Sequence, residues 1–370
     1  MESMVMNARQ PDDAQAANRG ELDVLMAGML FMDIVFTDLP SAPKPGTEIW
    51  AGGMGSSPGG IANLAVAAAR LGLNTGIATT LGDDGYGTWA RTILEQDEGI
   101  DLSHSRTLEH WHTPVTVSMA YDGDRAMLTH GHRSPVSTSE LVGRTATPRA
   151  ILADLDDEPW WGPAATRGSK VFADVGWDPT EVWDPAVLRA LDGCHCFMPN
   201  AAEACAYTRK DDPEDALEAL AELVPLAVVT LGSQGVIALD SESGERARVA
   251  PVPAIAIDPT GAGDVFGASF VVGTLAGWPL TDRLKFSSLC SSLAVRQFGG
   301  SLAAPGWGDV IDWWSGLTQR AEQGDPRARE LREDYAFLPA HFPPGPQRSL
   351  RRAEATIARL ADVTHRPDLP

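Results

Sequence analysis

Lysine and cysteine are both scarce in this chain. Four of each occur in 370 residues (Lys44, Lys170, Lys210 and Lys285 among the lysines), so the positive charge is almost entirely arginine. So few cysteines exclude a disulfide-stapled framework. Cys194, Cys196 and Cys205 gather around His195, but their spacing matches no common zinc pattern, and buried free thiols are expected. There is no apolar run of transmembrane length and no apolar export signal in the first twenty residues, so a cytoplasmic protein with no membrane partner is expected. Basic residues are outnumbered 29 to 50, a formal net charge of −21. That field repels a nucleic-acid backbone, so no nucleic-acid partner is expected. It does not bar a small anion held locally by backbone amides.

What the chain does have is short apolar runs separated by helical stretches. Residues 22–28 (LDVLMAG), 75–82 (TGIATTLG), 170–176 (KVFADVG), 226–232 (LAVVTLG) and 235–240 (GVIALD) have strand length and turn residues at their ends. Between them, Ile61, Leu64, Ala65, Ala68 and Leu71 fall at helical spacing before Gly72, and Asp211–Leu223 and Gly261–Ala276 also read as helices. Near-continuous apolar strands alternating with helices predict an α/β fold with a mostly parallel central sheet covered on both faces. Phe36–Trp50 and His112–His132 read instead as extended ribbon, with Asp122-Gly123 as a hairpin turn, and suggest a small β-sheet lid. Residues 1–21 read as a flexible tail. From Gly306 the chain is punctuated by Pro339, Pro343, Pro344 and Pro346, and Leu350, Ala353, Ile357 and Leu360 predict a final helix with one apolar face.

Two segments carry chemistry. In Ile257–Gly267, IDPTGAGDVFG, a strand gives way to a helix opened by Gly261, Ala262 and Gly263. Such a start brings a ligand close to backbone amides that, with the helix dipole, suit a transferring phosphoryl group. Asp264 follows in the first turn, where an acid stabilises a helix start. Beside an anion hole its better use is to accept the proton of an attacking hydroxyl. Pro259 biases Asp258 toward an extended conformation at the strand end. The third glycine of a dinucleotide fingerprint falls one position late, at Gly267, and no Walker lysine motif occurs. In the second segment, Gly52–Leu71, Gly59 and Gly60 read as a close-approach loop before a helix that presents Asn63. Asp33, after the first strand, has a carboxylate able to accept from two adjacent hydroxyls of a polyol. Asn200 and Glu203 share one face of a helix start, equally readable as a capping box, and Thr230–Gly235 reads as a tight turn between strands.

Taken together these segments resemble the ribokinase (PfkB) family of sugar kinases, over about Leu22 to Pro305. The motif Asp258-Pro259-Thr260-Gly261-Ala262-Gly263-Asp264 matches the family's C-terminal signature, and Gly59–Gly72 followed by Leu81–Gly87 (LGDDGYG) matches its N-terminal one. The resemblance implies a ribokinase-like three-layer sandwich spanning 22–305, with lid strands near 33–52 and 112–132. It implies ATP-dependent phosphorylation of a hydroxyl of a sugar or sugar-like substrate. Asp264 would be the base, the Gly261–Gly263 amides the anion hole, and Asp33, Gly59, Gly60 and Asn63 the sugar ligands. Asn200 and Glu203 would arrange Mg²⁺ through water, and Thr230, Gly232 and Gly235 would hold the nucleotide. Asp258 and Thr260 would bind a monovalent cation, K⁺ by family habit, and a homodimer through the lid is implied.

Two alternatives share this scaffold: a nucleoside kinase, and a catalytically silent sugar-binding regulator, against which the intact Asp264 and Gly261–Gly263 speak. The extension 306–370 exceeds the family core and is expected to be helical and packed on the domain. His110 and His112 read as sharing a face of one strand, and His130 and His132 of another. If the hairpin forms, His112 comes close to His132, and the group is either a metal or phosphate-sensing cluster or a set of polar lid residues.

Overall fold

The computed structural model describes residues 21–345, 351 and 353, apart from 122–123, 144–145, 156–157, 177, 179, 258 and 298–299. Strand β1 (Val24–Ala27) shows why the apolar runs do not alternate. Val24 and Met26 enter one core and Leu25 and Ala27 a second. Side chains of a strand point alternately to its two faces, so burying both faces demands an apolar residue at every position. The chain then leaves the body for β2 (Leu30–Thr37) and β3 (Gly53–Gly60) and returns through α1 (Ile61–Arg70) to β4 (Thr75–Ala78). β5 (Thr80–Gly82), α2 (Gly85–Thr92) and β6 (Arg106–Leu108) precede the outlying β7 (Val115–Tyr121) and β8 (Asp124–His130). The body resumes with α3 (Thr138–Val142), β9 (Ala150–Asp154), α4 (Gly162–Thr166), β10 (Lys170–Asp174) and β11 (Cys196–Phe197). Next come α5 (Ala201–Thr208), α6 (Pro213–Ala221), β12 (Leu226–Thr230), β13 (Val236–Asp240) and β14 (Arg246–Val249). Helices α7 (Ala262–Leu275), α8 (Leu280–Ala294), α9 (Trp307–Glu322) and α10 (Pro326–Asp334) follow.

The central sheet has eight strands in the order β14-β13-β12-β11-β10-β9-β1-β4, parallel except for β13 and β14 at one edge. Helices α1, α7 and α8 fill one face; α5, α6 and the Trp160–Trp161 pair fill the other. Helix α7 buries every residue from Val265 to Gly273, as befits a helix inside a layer rather than on it. The fold is thus the expected three-layer α/β sandwich.

A four-stranded sheet, ordered β3-β2-β7-β8, stands apart as the lid. Its strands differ from the expected ribbon in one respect. Residues 38–52 lie between strands, and the glycine-rich Gly53–Gly60, read as a loop, is lid strand β3, paired antiparallel with β2 from Thr37↔Gly53 to Leu30↔Gly60. Pairing with β2 gives this segment the order that its own strand propensity would not. β7 and β8 pair antiparallel, while Asp122-Gly123 lies outside the described residues. His110 sits in a turn with φ 55 rather than on a strand, so it does not share a strand face with His112.

Beyond residue 306, α9 and α10 pack on the body. Trp307 Nε1 donates to Leu71 O at 2.8 Å, and its ring stacks on Phe286. Under them Arg70 is fully buried, paired in bidentate fashion with Glu98 at 2.7 and 3.1 Å and donating to the carbonyls of Leu302 and Ala304. Arg351 donates to the same Glu98 carboxylate at 2.6 Å. The expected final helix with Leu350, Ile357 and Leu360 lies outside the described residues.

Candidate active site

Strands of a parallel sheet all end at one edge, so residues just past their C-termini converge there. At that edge lies a cleft of about 300 Å³ lined by Gly28, Gly60, Asp154, Asp174, Met198 and Asp264, among others. Asp264 is the third residue of α7. Burial pushes its carboxyl up to about 6, and a hydrogen bond from Asn63 Nδ2 to Oδ2, at 3.0 Å, acts in the opposite sense.

Asn63 connects Asp264 to the lid. Its Oδ1 and the Ser57 hydroxyl are buried without a hydrogen-bond partner. Both flank one small space: a Cβ on Gly300 would lie 3.1 Å from Ser57 Oγ, 3.3 Å from Asn63 Oδ1 and 3.7 Å from Asp33 Oδ2. Buried polar atoms without partners are rare in folded proteins, and hydroxyls of a ligand would satisfy these. Asp33 reaches this space because β2 pairs with glycines. A Cβ on Gly59 would lie 1.8 Å from Asp33 Oδ2, and one on Gly60, whose φ is 61, would lie 2.4 Å from Met29 O. No other residue fits either position without displacing its neighbours. Asp33, Gly59, Gly60 and Asn63 are therefore gathered at one place, together with Ser57 and Gly300, which sequence reasoning missed.

The start of α7 is open. Gly261 takes the left-handed conformation, φ 77, as N-cap and provides no side-chain cap; nothing stands within 4 Å of a Cβ position on Gly263. Amides of a helix's first turn need outside acceptors. The expected hole is narrower than three residues, however, since the Ala262 N–H donates to Pro259 O at 3.2 Å. Thr260 precedes this turn, and Asp258 lies outside the described residues.

A cluster of carboxylates completes the cleft. Asp154 and Asp174 end neighbouring strands and are register partners. Burial and the charges of Glu203, Asp264 and Asp154 hold the Asp174 carboxyl well above the usual range. Asn200 and Glu203 form the capping box of α5: Glu203 N–H donates to Asn200 Oδ1 at 3.0 Å, and Asn200 N–H to Glu203 Oε2 at 2.9 Å. Burial raises the Glu203 carboxyl as well. Crowded carboxylate oxygens are a hard donor set that fits Mg²⁺. Asp154 and Asp174 had no motif to mark them; the one signal was an aspartate ending each of two apolar strands, AILAD and KVFAD.

Thr230 lies beside the capping box, bridged to Asn200, with its N–H on Pro199 O at 3.1 Å. The turn after it needs glycine twice: Gly232 has φ 55, and a Cβ on Gly235, φ 96, would lie 2.1 Å from Val249 O. The LGDDGYG segment acts at a distance from the cleft. Asp83 accepts the amides of His110 and Trp111, and Asp84 caps α2 while accepting from Thr113 N and Oγ1, so the pair anchors the loop that enters the lid. Of the cysteines near His195, Cys194 and Cys196 are buried free thiols as expected, whereas Cys205 is only half-buried; burial pushes the Cys194 thiol up to about 12 and His195 down to about 4.

An open helix start, acidic strand ends and a lid pocket suit a small-molecule kinase, and comparison with known proteins shows the family. The model of the pfkB family of carbohydrate kinases matches residues 23–149 and 163–306, and the chain belongs to that family. Fructoselysine 6-kinase of Escherichia coli is 30% identical over 253 residues, 66% of this chain and 91% of the relative. Ribokinase of Bacillus subtilis is 27% identical over 291 residues, 76% and 96% of the two chains. In fold the chain is similar to Arabidopsis thaliana ribokinase complexed with ribose and ATP, with a TM-score of 0.68 at 24% identity over 79% of this chain and 98% of the other. The protein is accordingly a phosphotransferase with a hydroxyl acceptor, a sugar or nucleoside kinase for which ATP and Mg²⁺ are the general family requirement. Among the described residues, no helix is long and apolar enough to cross a membrane.

Proposed function

We propose that the chain transfers the terminal phosphoryl group of ATP to a hydroxyl of a sugar or sugar-like molecule, with Asp264 as general base. The observation that carries this reading is Asp264 itself, half-buried at the open start of α7 and hydrogen-bonded to Asn63, whose Oδ1 faces the lid pocket. The substrate hydroxyl loses its proton to Asp264 as its oxygen bonds the γ-phosphorus, and the bond to the bridging oxygen of ADP breaks in line. The amides at the start of α7 hold the phosphoryl oxygens as charge shifts among them. Asp33, Asn63 and Ser57 orient the substrate, with Gly59 and Gly60 leaving room for it. Asn200, Glu203, Thr230, Gly232 and Gly235 position the nucleotide. Glu203, Asp154 and Asp174 would provide oxygens for Mg²⁺ or its waters, and the ion when bound would supply neutralisation of phosphate charge. A monovalent cation at Asp258 and Thr260, and a cytoplasmic location, complete the reading.

The lid also favours a homodimer: Met127 and Leu128 are 59% and 68% exposed on β8, and Trp50 is 83% exposed in the loop between β2 and β3. Sedimentation showing only monomer at working concentrations would remove that element.

The test is ADP release with Mg²⁺-ATP and K⁺ across sugars, sugar acids, polyols, nucleosides and sugar–amino acid adducts, the last because a relative bears the name fructoselysine kinase. A sugar hit that vanishes in Asp264→Asn supports the reading. Nucleosides outpacing every sugar would replace the substrate class. A flat panel with ATP binding intact would favour a silent sugar-binding regulator.

A further inference from the structure

His112, His130 and His132 come together at the base of the lid, and none of them is assigned a part in the kinase reaction. One ring nitrogen of each lies within 4.8 Å of those of the other two. The ring centroids are 5.0 Å apart for His112–His130 and His112–His132, and 5.5 Å for His130–His132. The three come from two separate segments, so their meeting is a product of the fold rather than of local sequence.

Each segment is independently held. His112 lies in the loop anchored by Asp83, which accepts the amides of His110 and Trp111 at 3.0 and 3.2 Å, and by Asp84, which accepts Thr113 N at 2.9 Å. His130 ends β8, in register with Val115 of β7. Between His130 and His132, Gly131 packs so closely on Pro114 that a Cβ there would lie 2.7 Å from the proline ring. The rings of Trp111 and His132 meet in an edge arrangement, their centroids 5.8 Å apart. The backbones are thus fixed while His130 and His132 keep exposed side chains. A tetrahedral zinc ion with Zn–N bonds of about 2.1 Å needs ligand nitrogens roughly 3.4 Å apart. Side-chain torsions alone can close that gap.

We propose that His112, His130 and His132 form a three-histidine site for a zinc-class divalent ion, with a fourth position open to water, that staples β8, the edge strand of the lid, to the loop held by Asp83 and Asp84. Imidazole suits zinc, three neutral ligands with an open position is a known stoichiometry for it, and the net charge of −21 favours cation approach. Magnesium, which prefers oxygen donors, would not compete here.

The experiment uses tag-free full-length protein without sugar or nucleotide, so failure of the kinase reading leaves its result intact. Co²⁺ titration, followed by visible absorption and by competition with Zn²⁺, should give one ion per chain with the intense bands of tetrahedral cobalt. His130→Ala and His132→Ala, both at exposed positions and so tolerable to the fold, should each weaken binding at least about tenfold. His104→Ala should leave it unchanged. Hydrogen exchange of β8 amides should slow with Zn²⁺ and return to its original rate with chelator. Absence of stoichiometric uptake, or uptake equal in the two variants, overturns the site. Uptake with unchanged β8 exchange overturns the staple.

Discussion

The two ends of the candidate site are built from different material. At the strand end, Asp154 and Asp174 close buried strands and Asp264 opens a helix buried from Val265 to Gly273. At the lid end, Asp33, Ser57 and Gly59 ride on a sheet whose far strand exposes Met127 and Leu128. Local opening free energy follows the amount of buried contact, so the first end is rigid and the second is the part able to move. Asn63, on α1 but bonded to Asp264 and facing the lid, is the link between them. The lesson is a division of the site: one part is held in the core, the other is carried on the lid.

If that division holds, substitutions should split by end. Asp264→Asn should lower kcat by about 10²–10⁴-fold with the ATP Kd nearly unchanged by calorimetry. Turnover at the wild-type level would break the assignment of the base. Gly59→Ala drives a methyl into the Asp33 carboxylate; sugar KM should rise by about tenfold or more, roughly 1.4 kcal/mol or more of binding, while ATP affinity holds. Equal losses for both ligands would mean the two ends are not separable.

The acid side of the pH profile sharpens the link. Asp264 accepts a proton only when ionised, so kcat/KM should fall as pH drops through about 6 and level off above it. Asn63 holds that value down, so Asn63→Ala should move the acid limb to higher pH, read from the same profile. Smallest of all, Leu223→Ser, half-exposed and outside both ends, should change unfolding stability by no more than about 0.5 kcal/mol in denaturant titration.

What could be read from the chain alone follows contiguity. The α7 start, the α1 start and the Asn200/Glu203 pair were legible because their residues lie within one turn of each other. Ser57 and Gly300 meet Asp33 only after β3 pairs with β2 and the chain returns past α8. Asp154 and Asp174 each look like an ordinary strand end until the sheet sets them side by side. β3 was misread because GMGSSPGG has turn composition; its order comes from its partner strand, which a local pattern does not contain. The histidines were legible as a cluster but not as a set of three, because the turn at His110 breaks the alternation that paired it with His112.

The most direct test of the central claim is the pH dependence of kcat/KM for wild type and Asp264→Asn, with the best substrate from the panel. The account predicts an acid limb near pH 6 in wild type and a low, flat profile in the variant. A variant that keeps both the rate and the limb would show that another group takes the proton.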